Sequence, residues 1–147
     1  MILSDFKVFP RVGRLLGIDW GGRRTGVAVS DDSRQFVFVR PAIVVKNADE
    51  LVNKIVDLIK SERVVGIIVG LPLRTDGTES DTTKMVRAFA DSLAGAIDLP
   101  IAFVDECLSS AAAMEHIGRA TVRDIKEKLD SNAARVILEN AIALIAR

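Results

Sequence analysis

Acidic side chains end two short apolar runs of the sequence. Asp19 closes the run Leu15–Asp19, and Asp105 and Glu106 follow the run Ile101–Val104. Each run is typical of a buried strand, and ligands of open α/β sheets bind beyond the carboxyl ends of the parallel strands. If the first and fifth strands lie near each other in the centre of the sheet, their acids converge. Carboxylates without histidines form an all-oxygen site, which suits Mg²⁺ or Mn²⁺ better than zinc.

Such a site has a characteristic chemistry. Two divalent ions about 3.5–4 Å apart activate water and stabilise the leaving oxygen in phosphodiester hydrolysis. The chain has one histidine, His116, and one cysteine, Cys107, so its chemistry must depend mainly on carboxylates. The lone cysteine excludes an internal disulfide and a cysteine-rich zinc cluster. A single acid after a strand is more often a cap than a ligand, so this hypothesis requires acids from separate segments to converge.

Length and composition predict one globular domain over residues 1–147, with residues 1–13 as an N-terminal extension. No apolar run approaches the roughly 18 residues of a membrane span, and the N-terminus lacks the apolar core of a signal peptide. We therefore expect a cytoplasmic protein. The formal net charge is zero, but residues 1–40 contain seven basic and four acidic residues. This local excess permits nucleic-acid binding without requiring it.

The elements that must position the acids follow from hydrophobic periodicity. Three strands joined by short turns predict an antiparallel meander: Leu15–Asp19, Thr25–Ser30 and Phe36–Val45. Asn47 is expected to cap the first helix, and a strand Val64–Val69 follows it. A second helix is expected to bury Met85, Val86, Phe89, Ala90 and Leu93. A fifth strand, a short helix from Ser109 or Ser110 to about Gly118, and a helix over about Ile125–Ala146 complete the chain.

This order of elements predicts the fold class. Strands that alternate with helices late in a chain imply parallel pairing through crossover connections. The expected architecture is α/β, with a mixed five-stranded sheet flanked by helices. Three strands form the antiparallel meander, and two more are parallel.

Four segments of the sequence form a recognisable set: Gly17–Asp31, Gly70–Glu79, Val104–Ser110 and Asp130–Ala134, the last followed by Ile137 and Leu138. They resemble the sequence motifs of the YqgF/RuvX family, whose members are described as Holliday junction resolvases and as nucleases of pre-16S ribosomal RNA. They occur in the family's order and span nearly the whole chain beyond Arg14. Each motif alone is weak, but together they are highly specific.

This resemblance implies an RNase H-like fold and a set of site residues. It transfers the catalytic and metal-binding roles to Asp19, Glu106 and Asp130, with Mg²⁺ or Mn²⁺ as the cofactor. Asp130 enters only through the resemblance, since an acid on a helix is otherwise a solvated side chain. Asp105 ranks second to Glu106, because alternation along a strand points neighbouring side chains to opposite faces.

The chain departs from the family pattern near the acids. Cys107 stands where the family usually has arginine, and Arg74 where asparagine is commoner. Arginine contacts phosphate through a fork of donors that cysteine lacks. Arg23, Arg24 and Arg74 are therefore candidates to bind the substrate. Trp20 could stack on a base, although a packing role fits it as well.

The leading hypothesis is a metal-dependent endonuclease that matures the 5′ end of pre-16S rRNA during ribosome biogenesis. A Holliday junction resolvase is the alternative with the same chemistry, and it requires a two-fold dimer. A nucleotide-binding module is an alternative from a different class of function, because the Asp19–Gly22 turn resembles the phosphate loop of sugar kinases and actin-like ATPases. A non-catalytic RNA-binding protein is the last. The expected partner is structured RNA or branched DNA, with no membrane, bound by a monomer or homodimer.

Overall fold

The computed structural model describes residues 2–3, 5–105 and 122–146, with side chains in the last helix from residue 132 onward. Three of the sequence-based predictions lie outside this description. They concern Glu106, Cys107 and the short helix after Ser109 or Ser110. The side chain of Asp130 also lies outside it, although the backbone at that position is described.

Five strands form one mixed sheet in the order β3-β2-β1-β4-β5. Their bounds are β1 Arg14–Asp19, β2 Arg24–Ser30, β3 Val37–Val44, β4 Val64–Leu71 and β5 Ile101–Asp105. The first three strands are antiparallel, whereas β4 is parallel to β1 and β5 is parallel to β4. This confirms the predicted architecture. The condition for convergence, that β1 and β5 lie near each other in the centre of the sheet, is not met, because β4 separates them and β5 is an edge strand.

Within residues 2–3, 5–105 and 122–146, three helices flank the sheet, with bounds α1 Ala48–Glu62, α2 Asp81–Ala96 and α3 Val122–Ile145. The predicted cap is confirmed, since the Asn47 side chain accepts a hydrogen bond from the Glu50 amide at 2.9 Å. Ser80 caps α2, where its side chain and that of Thr83 each accept from the other's backbone amide. In the described part of the chain, no helix combines the length and apolar character needed to cross a bilayer.

The two faces of the sheet carry separate hydrophobic clusters. Leu16 and Ile18 of β1 belong to the cluster that α1 and α2 cover, which we call the α1–α2 face. Leu15 belongs to the cluster under α3, which we call the α3 face. Gly17 lies on that face, and a Cβ atom there would be 2.8 Å from the Ala134 carbonyl oxygen. Helix α3 therefore packs directly on the backbone of β1.

The N-terminal segment shows which way α3 runs. Leu144 and Ile145, at the end of α3, line a pocket of about 250 Å³ with Phe6. Phe9 of the same segment is buried against Gly66, near the start of β4. The end of α3 therefore lies where the parallel strands begin. The residues that precede its contact with β1 lie toward the carboxyl ends of those strands.

Candidate active site

The strands β1, β4 and β5 end at one edge of the sheet, where the sequence predicts the site. Ile18 pairs with Val69, and Leu71 pairs with Asp105. Asp105 therefore lies two strands away from Asp19, and one residue further in the direction in which the parallel strands run. Neighbouring strands are about 4.8 Å apart, so roughly 10 Å separate the two backbones.

Alternation along each strand decides which face an acid occupies. Asp19 shares the face of Leu15 and Gly17, which α3 covers. Asp105 shares the face of Ile101 and Phe103, which belong to the α1–α2 cluster. Side chains two residues apart on a strand lie on the same face. Asp19 and Asp105 thus lie on opposite faces of the sheet.

Helix α3 brings position 130 toward the Asp19 edge. Ala134 touches β1 at Gly17, and position 130 lies one helical turn earlier on the same side of the helix. Because α3 runs opposite to β1, this turn lies beyond Gly17 in the direction of Asp19. The backbone of Asp130 therefore approaches the edge where β1 ends, on the α3 face.

The described residues supply only part of a metal site. Within residues 2–3, 5–105 and 132–146, no three histidine, cysteine or acidic side chains lie close enough together to hold an ion. Their contribution on the α3 face is the half-buried carboxylate of Asp19. Carboxylate oxygen is the donor that Mg²⁺ and Mn²⁺ prefer, so the residue present at this position fits such an ion.

A tight turn follows Asp19 and carries two of the candidate arginines. The Gly21 amide donates to the Thr25 hydroxyl at 3.4 Å, and the Arg24 amide donates to the Gly21 carbonyl at 3.4 Å. A Cβ atom at Gly21 would lie 2.1 Å from the Arg24 carbonyl oxygen, so the turn requires glycine there. Arg23 is exposed on this turn, and Arg24 is half-buried at the start of β2.

Arg74 lies in the loop between β4 and α2, at the same edge of the sheet. Its amide donates to the Thr78 carbonyl at 2.9 Å, and its carbonyl accepts from the Gly77 amide at 2.8 Å. Asp76 accepts hydrogen bonds from the Thr78 hydroxyl and amide, which lower the pKa of its carboxyl group. The loop thus has a defined backbone and presents the exposed Arg74 side chain to solvent.

The base of this loop is anchored by a residue that sequence analysis missed. Thr83 is fully buried, and its hydroxyl donates to the Pro72 carbonyl and accepts from the Ser80 amide. The signal was a serine followed three residues later by a side chain that can return the bond. Glu79 accepts from Arg87 at 2.7 Å, which ties the other end of the loop to α2.

Trp20 follows Asp19 but packs on the other face of the sheet. Its half-buried indole contacts the α1–α2 cluster. It also lines an open pocket of about 220 Å³ together with Arg23 and Lys46. Sequence analysis did not select Lys46, whose signal was a basic residue directly before the Asn47 cap.

Comparison with known proteins identifies relatives over most of the chain. The model of the RuvX family, described as Holliday junction resolvase, matches residues 13–143. A protein of Maridesulfovibrio salexigens is 42% identical over 132 residues, covering 88% of this chain and 98% of its own length. One of Sphingopyxis alaskensis is 39% identical over 146 residues, covering 97% and 95%. Both carry the provisional name pre-16S rRNA nuclease.

Solved structures resemble the fold at low sequence identity. RuvC of T. thermophilus, in complex with a Holliday junction substrate, aligns with a TM-score of 0.57 at 15% identity, over 90% of this chain and 95% of that one. The yeast mitochondrial Holliday junction resolvase also aligns with a TM-score of 0.57, at 11% identity, over 95% and 81%. These likenesses confirm the RNase H-like fold.

Proposed function

This chain belongs to the RuvX family, and we propose from that membership that it is a nuclease of the 5′ leader of 16S ribosomal RNA precursor. Residues 1–147 act as one nuclease domain, in the cytoplasm. The observation that carries the proposal is the position of Asp19. It ends the central strand of an RNase H-like sheet, on the face that α3 covers.

The acids Asp19, Glu106 and Asp130 form the proposed site. Glu106 is assigned to the site by its place in the segment Val104–Ser110, which resembles a motif of the family. Asp130 is assigned to it because its turn of α3 approaches the end of β1.

These three carboxylates would hold Mg²⁺ or Mn²⁺. A divalent ion bound there acidifies water and neutralises charge that develops on the phosphate. Asp19 is half-buried and ends a strand whose neighbours pair with it on both sides, so its backbone has a fixed position. The protein's own part in catalysis is thus to hold negative charge at one place on a rigid sheet.

Basic side chains on the flanking loops would bind the nucleic-acid backbone. Arg23 lies in the turn after β1, Arg24 begins β2, and Arg74 lies in the loop after β4, so all three lie at the end of the sheet where Asp19 lies. Arginine binds phosphate through a planar fork of donors. We assign these residues to substrate phosphates on either side of the cleaved bond.

Holliday junction resolution is the second candidate, because the matching family model is described by that activity. The relatives named for pre-16S rRNA favour RNA as the substrate. Affinity for a large DNA junction depends mainly on phosphate contacts, which a neutral protein makes less readily. Resolution of a symmetric junction further requires a two-fold dimer, whereas RNA cleavage is compatible with a monomer.

The purified protein should cleave a labelled RNA that spans the 5′ end of mature 16S rRNA, and leave a four-way DNA junction intact. The panel adds plain RNA and DNA duplexes as controls, each with Mg²⁺. Cleavage of the junction alone would favour the resolvase. RNA binding without any cleavage would favour a non-catalytic RNA-binding protein.

A further inference from the structure

The pocket beside Trp20 lies between the β1–β2 turn and the start of α1. Its floor is apolar, because Val45 and Leu51 belong to the buried α1–α2 cluster. Its rim is basic, because Arg23 and Lys46 line it and are both exposed. The volume of about 220 Å³ is below the roughly 300 Å³ at which pockets for drug-sized ligands begin. It therefore suits a single ring system.

Trp20 forms an aromatic wall of this pocket. A Cβ atom at Gly22 would lie 3.8 Å from the Cη2 atom of the indole, so a side chain at position 22 would rest on its six-membered ring. Gly22 has a φ of +70° and leaves that part of the ring uncovered. A flat ligand can therefore contact the indole from inside the pocket.

The start of α1 is not a phosphate site. The Asn47 side chain accepts from the Glu50 amide at 2.9 Å, and the Glu50 carboxylate accepts from the Lys46 amide at 3.2 Å. Asp49 adds a further negative charge in the first turn. The interior of the pocket thus favours a neutral aromatic ring, whereas anionic groups fit only near the cations of the rim.

The pocket adjoins the proposed active site across the edge of the sheet. Consecutive Cα atoms are about 3.8 Å apart, so Trp20 follows Asp19 at that distance, with its side chain on the α1–α2 face. Because the two side chains lie on opposite faces, a nucleic-acid strand has to cross this end of the sheet to place a phosphate at Asp19 and the neighbouring nucleotide at the indole. A paired base can enter only if it is first unpaired and unstacked from its duplex, so an unpaired base enters most readily.

We propose that this pocket takes one unpaired nucleobase beside the cleaved phosphate, stacked on Trp20, with Arg23 and Lys46 on the flanking phosphates. This inference rests on the proposed function, and it adds that the substrate is recognised at an unpaired nucleotide. Any base can stack on an aromatic side chain. The pocket therefore selects nucleotides that are unpaired, and it does not select a particular base sequence.

The chain offers a direct probe, because Trp20 is its one tryptophan and it contains no tyrosine. Intrinsic fluorescence therefore reports on the pocket. The protein is titrated in EDTA, which prevents metal-dependent cleavage, with three RNA hairpins. One has a single bulged adenine, the second is fully paired, and the third has an abasic site at the bulge. Fluorescence anisotropy of end-labelled copies measures binding separately.

We expect the bulged adenine to quench the tryptophan fluorescence, because the base stacks on the indole, while the paired and abasic hairpins bind with little change. Trp20→Ala should weaken binding of the bulged hairpin roughly tenfold, and Trp20→Phe by no more than about threefold. Lys46→Gln should lower the salt dependence by about one phosphate contact.

Binding of the bulged hairpin with unchanged fluorescence, or equal quenching by all three hairpins, would overturn the pocket while leaving the nuclease proposal standing. Absence of binding of the bulged hairpin by anisotropy would also overturn the pocket, whereas the nuclease proposal is tested separately by cleavage in Mg²⁺. Because the quenching is measured on the unmodified protein, a folding defect in Trp20→Ala leaves the test intact.

Discussion

Asp19→Asn should abolish cleavage of the 16S precursor RNA while the protein remains folded. Asparagine has nearly the same volume as aspartate and fits the same half-buried place at the end of β1. It removes the negative charge that a divalent ion requires. Loss of an outer-shell partner of a metal ligand costs about 10–100-fold, so loss of the ligand itself should slow single-turnover cleavage by roughly a thousandfold or more.

The matched control for this variant is Asp98→Asn. Asp98 is exposed and precedes β5, at the end of the sheet where the parallel strands begin. The change therefore removes one negative charge at a position distant from the site. It should cleave at the unmodified rate. If Asp19→Asn retains that rate with an unchanged circular dichroism spectrum, the assignment of Asp19 is wrong.

Gly17→Val should greatly destabilise the protein. A Cβ atom at this position would lie 2.8 Å from both the Ala134 carbonyl oxygen and the Leu138 Cβ, closer than packed atoms allow. One of these atoms belongs to the backbone of α3 and the other is attached directly to it. Neither can move away by a side-chain rotation, so the helix itself must move. Overpacking typically costs about 1–3 kcal/mol, and we expect about 3 kcal/mol or more here, measured by urea unfolding.

The cleavage rate per folded molecule of Gly17→Val should fall as well, because the displaced helix carries the backbone of Asp130 away from Asp19. Gly95→Ala is the control, since Gly95 lies on α2 with no atom within 4 Å of an added Cβ. Alanine there should leave stability unchanged or raise it by up to about 1 kcal/mol. Wild-type stability in Gly17→Val would contradict the close packing of α3 on β1.

Local pattern predicted most of the fold, and tertiary contact explains where it failed. The Asn47 cap and the three-stranded meander follow from short-range chemistry, and the structure confirms both. β4 continues through Leu71, beyond the predicted end at Val69, because pairing with β5 extends the strand up to Pro72. Met85 is exposed rather than buried. Met85 adjoins the buried Val86 on α2. The sequence pattern shows that the helix has an apolar stripe, but it does not show which residues at the border of that stripe are buried.

Sequence order did not reveal that β4 separates β1 from β5. Hydrophobic periodicity identifies strands but does not give their order in the sheet, so the distance from Asp19 to Asp105 was not predictable. Burial of β4 on both faces explains its uninterrupted apolar composition, which was the available sign of a central strand. The pocket beside Trp20 escaped prediction for a similar reason, since its wall and floor come from Trp20 and Leu51, which are distant in the chain.

The most direct test of the account is cleavage of the 16S precursor RNA by protein first freed of metal with EDTA. We expect no product until Mg²⁺ or Mn²⁺ is added, and then the full rate in the unmodified protein. Asp105→Asn should regain cleavage at the same ion concentration as the unmodified protein, because Asp105 lies on the opposite face of the sheet from Asp19. Asp19→Asn should stay inactive or require a far higher concentration. Equal cleavage with and without a divalent ion would contradict the account.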